Sequence, residues 1–89
     1  MNDSSSNSVR EKRHTSLFPL ALAGSGESVR IVVIRGAGTK ERLLSMGIHV
    51  NDIIEVIASR KMGSVMVANE MSRFMLGGGM SRKILVTKE

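Results

Sequence analysis

The chain has 89 residues, no cysteine and a formal net charge of +5, from 13 Lys plus Arg against 8 Asp plus Glu. A chain of this length forms one domain with a modest core, in which a deep enclosed substrate pocket is not expected. The absence of cysteine excludes disulfides, thiolate nucleophiles and cysteine-ligated zinc or iron–sulfur sites. The basic charge favours anionic partners, but the basic residues are scattered and form no long run of like charges.

The first 16 residues form a polar segment rich in Ser and Asn. Such a composition cannot bury enough apolar surface to offset the entropy of ordering, so we expect a disordered tail over residues 1–16 and one domain over residues 17–89. Basic residues in the tail, followed by an apolar stretch at 17–23, imitate a secretory signal peptide. That stretch is at the minimum length and Pro19 interrupts it, so a cleaved signal peptide is disfavoured. No segment approaches the roughly 20 apolar residues of a spanning helix, and we expect membrane contact only through a partner.

Several segments rich in β-branched residues predict short strands. They cover residues 28–34, 53–58, 64–68 and 81–87. In the first, Val29, Ile31 and Val33 share one face, and in the third Val65 and Val67 point inward. A hairpin loop is expected at 60–63, and the segment 69–76 reads as a strand continuation followed by a helical turn before the glycines at 77–79.

One short helix of about two turns is predicted between the first two strands. Thr39 is the expected N-cap, and Glu41 then lies in the first turn, where the helix dipole favours an acid. Gly47 is the expected left-handed stop, after which Ile48 packs back on Leu43 as in a Schellman motif. The fold class is therefore mainly β, with about five short strands in one curled sheet or small barrel and one short α-helix between the early strands.

The sequence offers no arrangement typical of an active site. Its two histidines are His14, in the tail, and His49, after the helix. His49 and Asp52 lie close enough along the chain to touch one metal ion, but a good site needs three or four ligands. No Ser–His–Asp arrangement and no carboxylate pair for acid–base chemistry is evident. We predict no catalytic residue, no metal ligand and no cofactor.

Residues 36–40 read G-A-G-T-K and have the outline of a phosphate-binding loop, because free amides at the start of a helix attract anions. The Walker spacing fails, since Thr39 separates Gly38 from Lys40. The dinucleotide pattern fails as well, since Glu41 stands where its third Gly belongs. We interpret the segment as a tight strand-to-helix turn, which leaves a nucleotide-binding enzyme as the least favoured class.

The counts of two residue types bear on possible partners. Seven methionines invite a copper(I) hypothesis, but methionine more commonly fills irregular core space or lines a protein-binding face. Only Phe18 and Phe74 are aromatic, whereas proteins that read single-stranded nucleic acid stack bases on several aromatics. We therefore expect no specific nucleic-acid partner.

Four motifs, in order, resemble the FeoA family of ferrous iron transport proteins. Residues 36–48 are similar to the family pattern G-x-G-x-x-x-R-L-x-x-M-G-I, and residues 54–56 read I-E-V as in the family. Residues 63–67 resemble G-P-V-x-V, and residues 75–86 resemble A-L-G-R-G-M-A-x-x-I-x-V. Ser64 replaces the usual Pro, and Gly78 stands where the family often has Arg, so an anion contact by that Arg does not carry over.

The resemblance implies a cytosolic SH3-like barrel that is not an enzyme. It further implies that the chain works with a FeoB-type ferrous iron transporter, a membrane protein whose cytosolic domain hydrolyses GTP. We predict the contact surface at the short helix with its flanks and at the glycine turn, where apolar and basic residues adjoin. The predicted contact residues are Lys40, Arg42, Leu44, His49, Phe74, Met75, Gly78 and Met80. The competing interpretation is that Leu43, Met46 and Phe74 are simply core.

Two alternatives remain open on the sequence. One is a free-standing relative of the SH3-like C-terminal domain of iron-dependent repressors, which has the same fold class and a regulatory role. The other is a small basic barrel that binds nucleic acid, which salt-dependent binding to oligonucleotides would support.

Overall fold

A computed structural model describes residues 16–60 and 63–89, so the polar tail up to residue 15 and two residues of the predicted 60–63 loop lie outside the described part. The elements in chain order are β1 (Phe18–Pro19), a 3-10 turn (Leu20–Leu22), β2 (Ser28–Ile34), α1 (Ala37–Ser45), β3 (Ile53–Ser59), β4 (Val65–Ala68), β5 (Arg73–Leu76), α2 (Gly78–Ser81) and β6 (Ile84–Lys88).

The strands form one antiparallel sheet in the order β1-β6-β2-β3-β4-β5. The predicted mainly-β class, with a helix between the early strands, is confirmed. The additional strand is β1, whose two residues pair with β6 through Phe18↔Val86 and Pro19↔Leu85. It is too short to give a periodic signal, and Pro19 fits there because β1 lies at the edge of the sheet, where the ladder needs no donor from it.

Two register shifts bend the sheet, one between Ile31 and Val33 on β2 and one between Val56 and Ala58 on β3. Each inserts an extra residue, which increases the local twist and lets a single sheet curl around a core. The first shift overturns part of the predicted pattern. Val29 and Ile31 are fully buried as expected, but beyond the bulge Ile34 rather than Val33 packs against the core cluster.

The core lies on the inner face of the curled sheet. Val65 and Val67 are both 0% exposed, which confirms their predicted inward orientation. Leu20 from the 3-10 turn and Leu43 from α1 complete the cluster from outside the sheet. The buried members of the cluster are Leu20, Ala23, Val29, Ile31, Leu43, Ile48, Ile54, Val56, Val65, Val67, Leu76, Ile84 and Val86.

The start of α1 differs from the prediction. The helix begins at Ala37 with Gly36 as its N-cap, so Thr39 is inside the helix and Glu41 lies beyond the first turn, which contains no acid. The physical reason is that β2 and β6 hold the preceding residue, since the Arg35 amide donates to the Lys83 carbonyl at 2.8 Å. The chain must therefore turn at Gly36, whose φ of 86° favours glycine.

The end of α1 matches the predicted Schellman motif. The Ile48 amide donates to the Leu43 carbonyl at 2.8 Å, and the Gly47 amide donates to the Leu44 carbonyl at 2.9 Å. Gly47 has φ of 81°, the left-handed conformation expected at this position. Leu43 and Ile48 are both buried in the core cluster, so the stop signal and the packing agree.

The segment predicted as ambiguous resolves into a hairpin and a single helical turn. Asn69 forms the tip, where its Oδ1 accepts hydrogen bonds from the amides of Met71 and Ser72 at 2.9 and 2.8 Å. After β5, Gly77 is the N-cap of α2, and Gly78, Gly79 and Ser81 belong to the helical turn, so β6 begins at Ile84 rather than at Ser81 as predicted.

Candidate functional site

The exposed surface of α1 is divided between two sides of the helix. Lys40 and Leu44 are four residues apart and lie on the same side, where both are exposed and Leu44 keeps 46% of its accessible surface. Arg42 is also exposed, but residues two positions apart do not face each other on a helix. Thr39 and Leu43 are buried and define the inner side. Helix geometry therefore places Arg42 and Leu44, which were predicted to act together, on different sides of α1. Lys40 and Leu44 share one side.

His49 lies in the turn that follows α1. Its amide donates to Asp52 Oδ2 at 2.8 Å, and its Nδ1 lies 3.5 Å from the same oxygen. The pair therefore closes a surface turn, in which Asn51 takes a positive φ of 80°. Within residues 16–60 and 63–89 no group of three or more His, Asp and Glu side chains is placed to hold a metal ion.

Most residues of the second predicted contact region, Phe74 to Met80, pack against other parts of the protein. Phe74 and Met80 are half-buried and pack against the core cluster, which supports the core interpretation for Phe74. Gly78 approaches the 60–64 loop so closely that a Cβ there would lie 3.4 Å from the Gly63 Cα. Only Met75 offers a largely exposed apolar side chain, at 58%.

Met75 stands on β5, which ends the sheet order and pairs with β4 on one side. Its cross-strand partner is Met66, which in turn faces Ala58 on β3. These three residues form a row on the outer face of the sheet, where Ala58 and Met75 are exposed and Met66 is half-buried. Methionine side chains adapt to varied apolar surfaces, which suits such a row to protein contact.

The sequence interpretation did not anticipate five other exposed large apolar residues among those described, which are Leu17, Leu22, Val50, Ile53 and Met71. Met71 is 89% exposed at the β4–β5 hairpin tip, Ile53 is 48% exposed at the start of β3, and Val50 is 40% exposed. The alternation along β3 contained a usable signal, because burying Ile54 and Val56 places Ile53 on the outer face. Nothing local marked Met71, whose exposure follows from the Asn69 turn.

The turn into α1 brings together polar groups that the sequence analysis treated separately. The position that a Cβ would occupy on Gly36 lies 3.6 Å from Thr39 Oγ1 and 3.9 Å from Lys83 Nζ. Gly36 gives α1 no side-chain cap. Lys83 lies in the turn between α2 and β6, so only the folded sheet places it beside the helix start.

In the part of the chain that the structure describes, no helix has the length and apolar character needed to cross a bilayer.

The strand order, the bulged sheet and the α1 connection between the neighbouring strands β2 and β3 define a small SH3-like domain. The chain belongs to the FeoA family, because the sequence model of the FeoA domain matches residues 18–88. A protein of Methanocaldococcus jannaschii described as a candidate Fe(2+) transport protein A is 37% identical over 71 residues, which cover 79% of this chain and 85% of that protein. The predicted family resemblance is thus confirmed.

Solved structures share the fold. A crystal structure of the iron uptake regulatory protein FeoA superimposes with a TM-score of 0.73 at 28% identity, over 83% of this chain and 100% of that chain. A manganese-dependent transcriptional repressor superimposes with a TM-score of 0.74 at 22% identity, over 82% of this chain and 41% of the repressor. The repressor comparison concerns the fold alone, and this chain spans less than half of the repressor's length.

Proposed function

We propose that this chain is a non-enzymatic accessory protein of ferrous iron uptake, which acts by binding the cytosolic regions of a FeoB-type transporter. The observation that carries the proposal is the family match over residues 18–88, which includes all the strands and the whole core cluster. The M. jannaschii relative is named for Fe(2+) transport and the solved neighbour for regulation of iron uptake. On this proposal the chain works in the cytoplasm, at the inner face of the membrane through its partner.

Binding through an exposed surface fits the chemistry of the described residues. Leu44 exposes apolar area on α1 one helical turn from the exposed residue Lys40, and Met75 exposes apolar area on β5. Aromatic, aliphatic and methionine side chains supply the apolar centre of an interface, while charged residues occupy its rim. We assign the contact to two patches, Leu44 with Lys40 and Met75 with its strand neighbours. His49, Arg42, Phe74, Gly78 and Met80 then act as flanks or as support from the core.

The test is capture of the transporter from membranes by the tagged full chain, in the GTP-bound, GDP-bound and nucleotide-free states. Leu44→Ser and Met75→Ser each remove an exposed apolar contact without opening the core. We expect either substitution on its own to weaken capture about tenfold if its patch is buried on binding, as for the loss of ~1.5 kcal/mol of apolar burial. Met71→Ser is the matched control, because Met71 is more exposed than either residue and lies outside both patches.

The outcomes test the proposed function and the proposed contact surface separately. Capture that survives both substitutions would keep the accessory function and reject the two patches. Failure to capture the transporter in any nucleotide state, at low and at physiological salt, would reject the proposed function and leave the fold unchanged.

A repressor-type regulatory domain is the second candidate, since the repressor neighbour has the same fold. That comparison, at 22% identity, favours this candidate only at the level of architecture. The same tagged chain would then capture a DNA-binding regulator instead of the transporter.

A further inference from the structure

The N-terminus of α1 lacks the oxygen that usually caps a helix. Gly36 is the N-cap and contributes no side chain, and the first turn holds no acid. The amide of Lys40 bonds to the Gly36 carbonyl, but the described residues offer no backbone acceptor to the amides of Ala37, Gly38 and Thr39. Serine, threonine or aspartate at an N-cap normally satisfies such amides, and Gly36 offers them no side-chain oxygen.

Two polar side chains, those of Thr39 and Lys83, lie beside the N-terminus of α1. Thr39 is only 7% exposed, and its hydroxyl has no hydrogen-bond partner among the described residues. Its Oγ1 lies 3.6 Å from the position of a Cβ on Gly36, and the Lys83 ammonium lies 3.9 Å from the same position. Lys83 forms no ion pair within residues 16–60 and 63–89.

Each of these features is unfavourable on its own. A buried hydroxyl without a partner loses its hydrogen bonds to water, and a cation beside a helix N-terminus is repelled by the positive end of the dipole. An oxyanion bound at this helix start would reverse both effects, because it accepts hydrogen bonds from the hydroxyl and the amides and attracts the ammonium. The feature is thus a buried donor that has no partner among the described residues, next to a helix start without a side-chain cap and with a cation beside it.

We propose that the turn formed by Gly36, Thr39 and Lys83 binds a phosphate-type oxyanion at the N-terminus of α1. The failure of the Walker spacing does not bear on this site. A Walker loop wraps several phosphates of one nucleotide, whereas the amides of a single helix turn hold one phosphate group. The chemistry is shared by inorganic phosphate, the terminal phosphate of a nucleotide and an anionic lipid headgroup.

The test is a titration of the full chain with sodium phosphate, at constant pH and at an ionic strength held constant with chloride, followed by amide chemical shifts. We expect saturable shifts centred on Ala37, Gly38 and Thr39. Lys83→Gln removes the ammonium and should weaken phosphate binding about tenfold, the usual effect of losing one charge-assisted hydrogen bond. Lys88→Gln removes the same charge at the far end of β6 and should leave binding unchanged.

Thr39→Val supplies an independent readout, because valine has the shape of threonine without its hydroxyl. We expect the substitution to weaken phosphate binding severalfold and to raise the Tm in phosphate-free buffer, where the hydroxyl has no partner. A fall in Tm in that buffer would show that the hydroxyl is already satisfied and would overturn the proposal. Equal weakening by Lys83→Gln and Lys88→Gln would reduce the effect to nonspecific charge and would also overturn it.

Three arms distinguish the source of the phosphate group. They are inorganic phosphate, GTP, and vesicles of phosphatidylethanolamine with phosphatidylglycerol. Saturable shifts at the same amides would support the site. The source that binds most tightly would then be assigned as its ligand. Absence of saturable shifts in all three arms would overturn the proposal without affecting capture of the transporter, which is measured separately.

Discussion

Ser81 is the most deeply buried polar side chain among the described residues, at 0% exposure. Its hydroxyl lies 3.0 Å from the Gly63 carbonyl and 3.2 Å from the Gly78 carbonyl, so it ties α2 to the loop between β3 and β4. The close approach of Gly78 to Gly63 brings the two segments within reach of this one hydroxyl. The α2 turn therefore requires a small side chain at position 81. Ser81 belongs to this turn and is not the first residue of a strand, as the sequence had predicted.

Ser81→Ala should lower the free energy of unfolding by about 1 kcal/mol, because the half-buried Gly63 carbonyl loses the donor that the fully buried Ser81 side chain supplies. The measurement is urea denaturation at neutral pH. Ser45→Ala is the matched control, since the Ser45 hydroxyl donates to the Arg42 carbonyl at 2.7 Å on an exposed surface. Water can substitute there, so we expect almost no loss. Equal losses in the two variants would contradict the structural role of Ser81.

The role of a single residue could be predicted from the sequence where it depends only on neighbouring residues. Gly47 was predicted as the left-handed stop, because a Schellman motif involves only neighbouring residues of one helix end. Thr39 was wrongly predicted as the N-cap, because the position of the first turn is fixed by the bond between Arg35 and Lys83. That bond joins distant parts of the chain, and local cap preference cannot reveal it.

At the scale of elements, Arg30 connects three segments. Its Nε and Nη2 donate to the two carboxylate oxygens of Glu89 at 3.1 and 3.0 Å, and its Nη1 donates to the Asn51 carbonyl at 3.0 Å. The guanidinium of β2 thus joins the end of β6 to the turn that precedes β3. The planar fork of arginine makes this possible, since lysine offers a single ammonium.

Arg30→Lys should destabilise the protein by about 0.5–1 kcal/mol, a small value because both side chains are partly exposed to water. The effect should be local as well, with faster hydrogen exchange at the Glu89 amide, which donates to the Ser28 carbonyl. Denaturant midpoints and amide exchange measure the two effects. Arg73→Lys, on the exposed outer face of β5, serves as the control and should change neither. A result in which Arg73→Lys matched Arg30→Lys would reject the three-way contact.

The strands that were predicted correctly carry dense β-branched residues over four or more positions, as in β2, β3 and β4. The elements that escaped prediction lack such a signal. The strand β1 has two residues, and α2 is a helical turn that contains two glycines, which intrinsic preference disfavours in a helix. Tertiary contacts impose both elements, and the same holds for the bulge that moved the inward position from Val33 to Ile34.

At the scale of the whole molecule, the candidate surfaces were predictable only in part. Exposure of Leu44 follows from its place on an amphipathic helix whose inner side holds Leu43. The separation of Arg42 from Leu44 follows from the same periodicity. The meeting of Gly36, Thr39 and Lys83 does not, because it depends on the pairing of β2 with β6 across most of the chain. Sequence patterns predict faces of single elements better than sites assembled from several.

Glu27 links an early turn to the last strand. Its carboxylate accepts a hydrogen bond from the Gly24 amide at 3.1 Å and lies 3.2 Å from the Lys88 ammonium. The Gly24 amide, followed by the Lys88 charge, lowers the pKa of Glu27 below its ordinary value of 4.5, although partial desolvation opposes them. The folded state therefore prefers the ionised carboxylate more strongly than the unfolded chain does.

This preference gives the global stability a dependence on acid pH with a definite sign. A group whose pKa is lowered in the folded state contributes stability above its unfolded pKa, and the contribution disappears as the pH falls through the folded pKa. We expect Glu27→Gln to be less stable than the parent chain at pH 7, and the difference to close as the pH is lowered from 4.5 through the folded pKa. Denaturant midpoints measured across that range check the prediction. Glu41→Gln is the control, because it removes an exposed charge on α1 that has no ion pair among the described residues, and at pH 7 it should cost less stability than Glu27→Gln. If the loss of stability caused by Glu27→Gln stayed constant down to the lowest pH, the substitution would act through the shape of the lost contact and not through its charge.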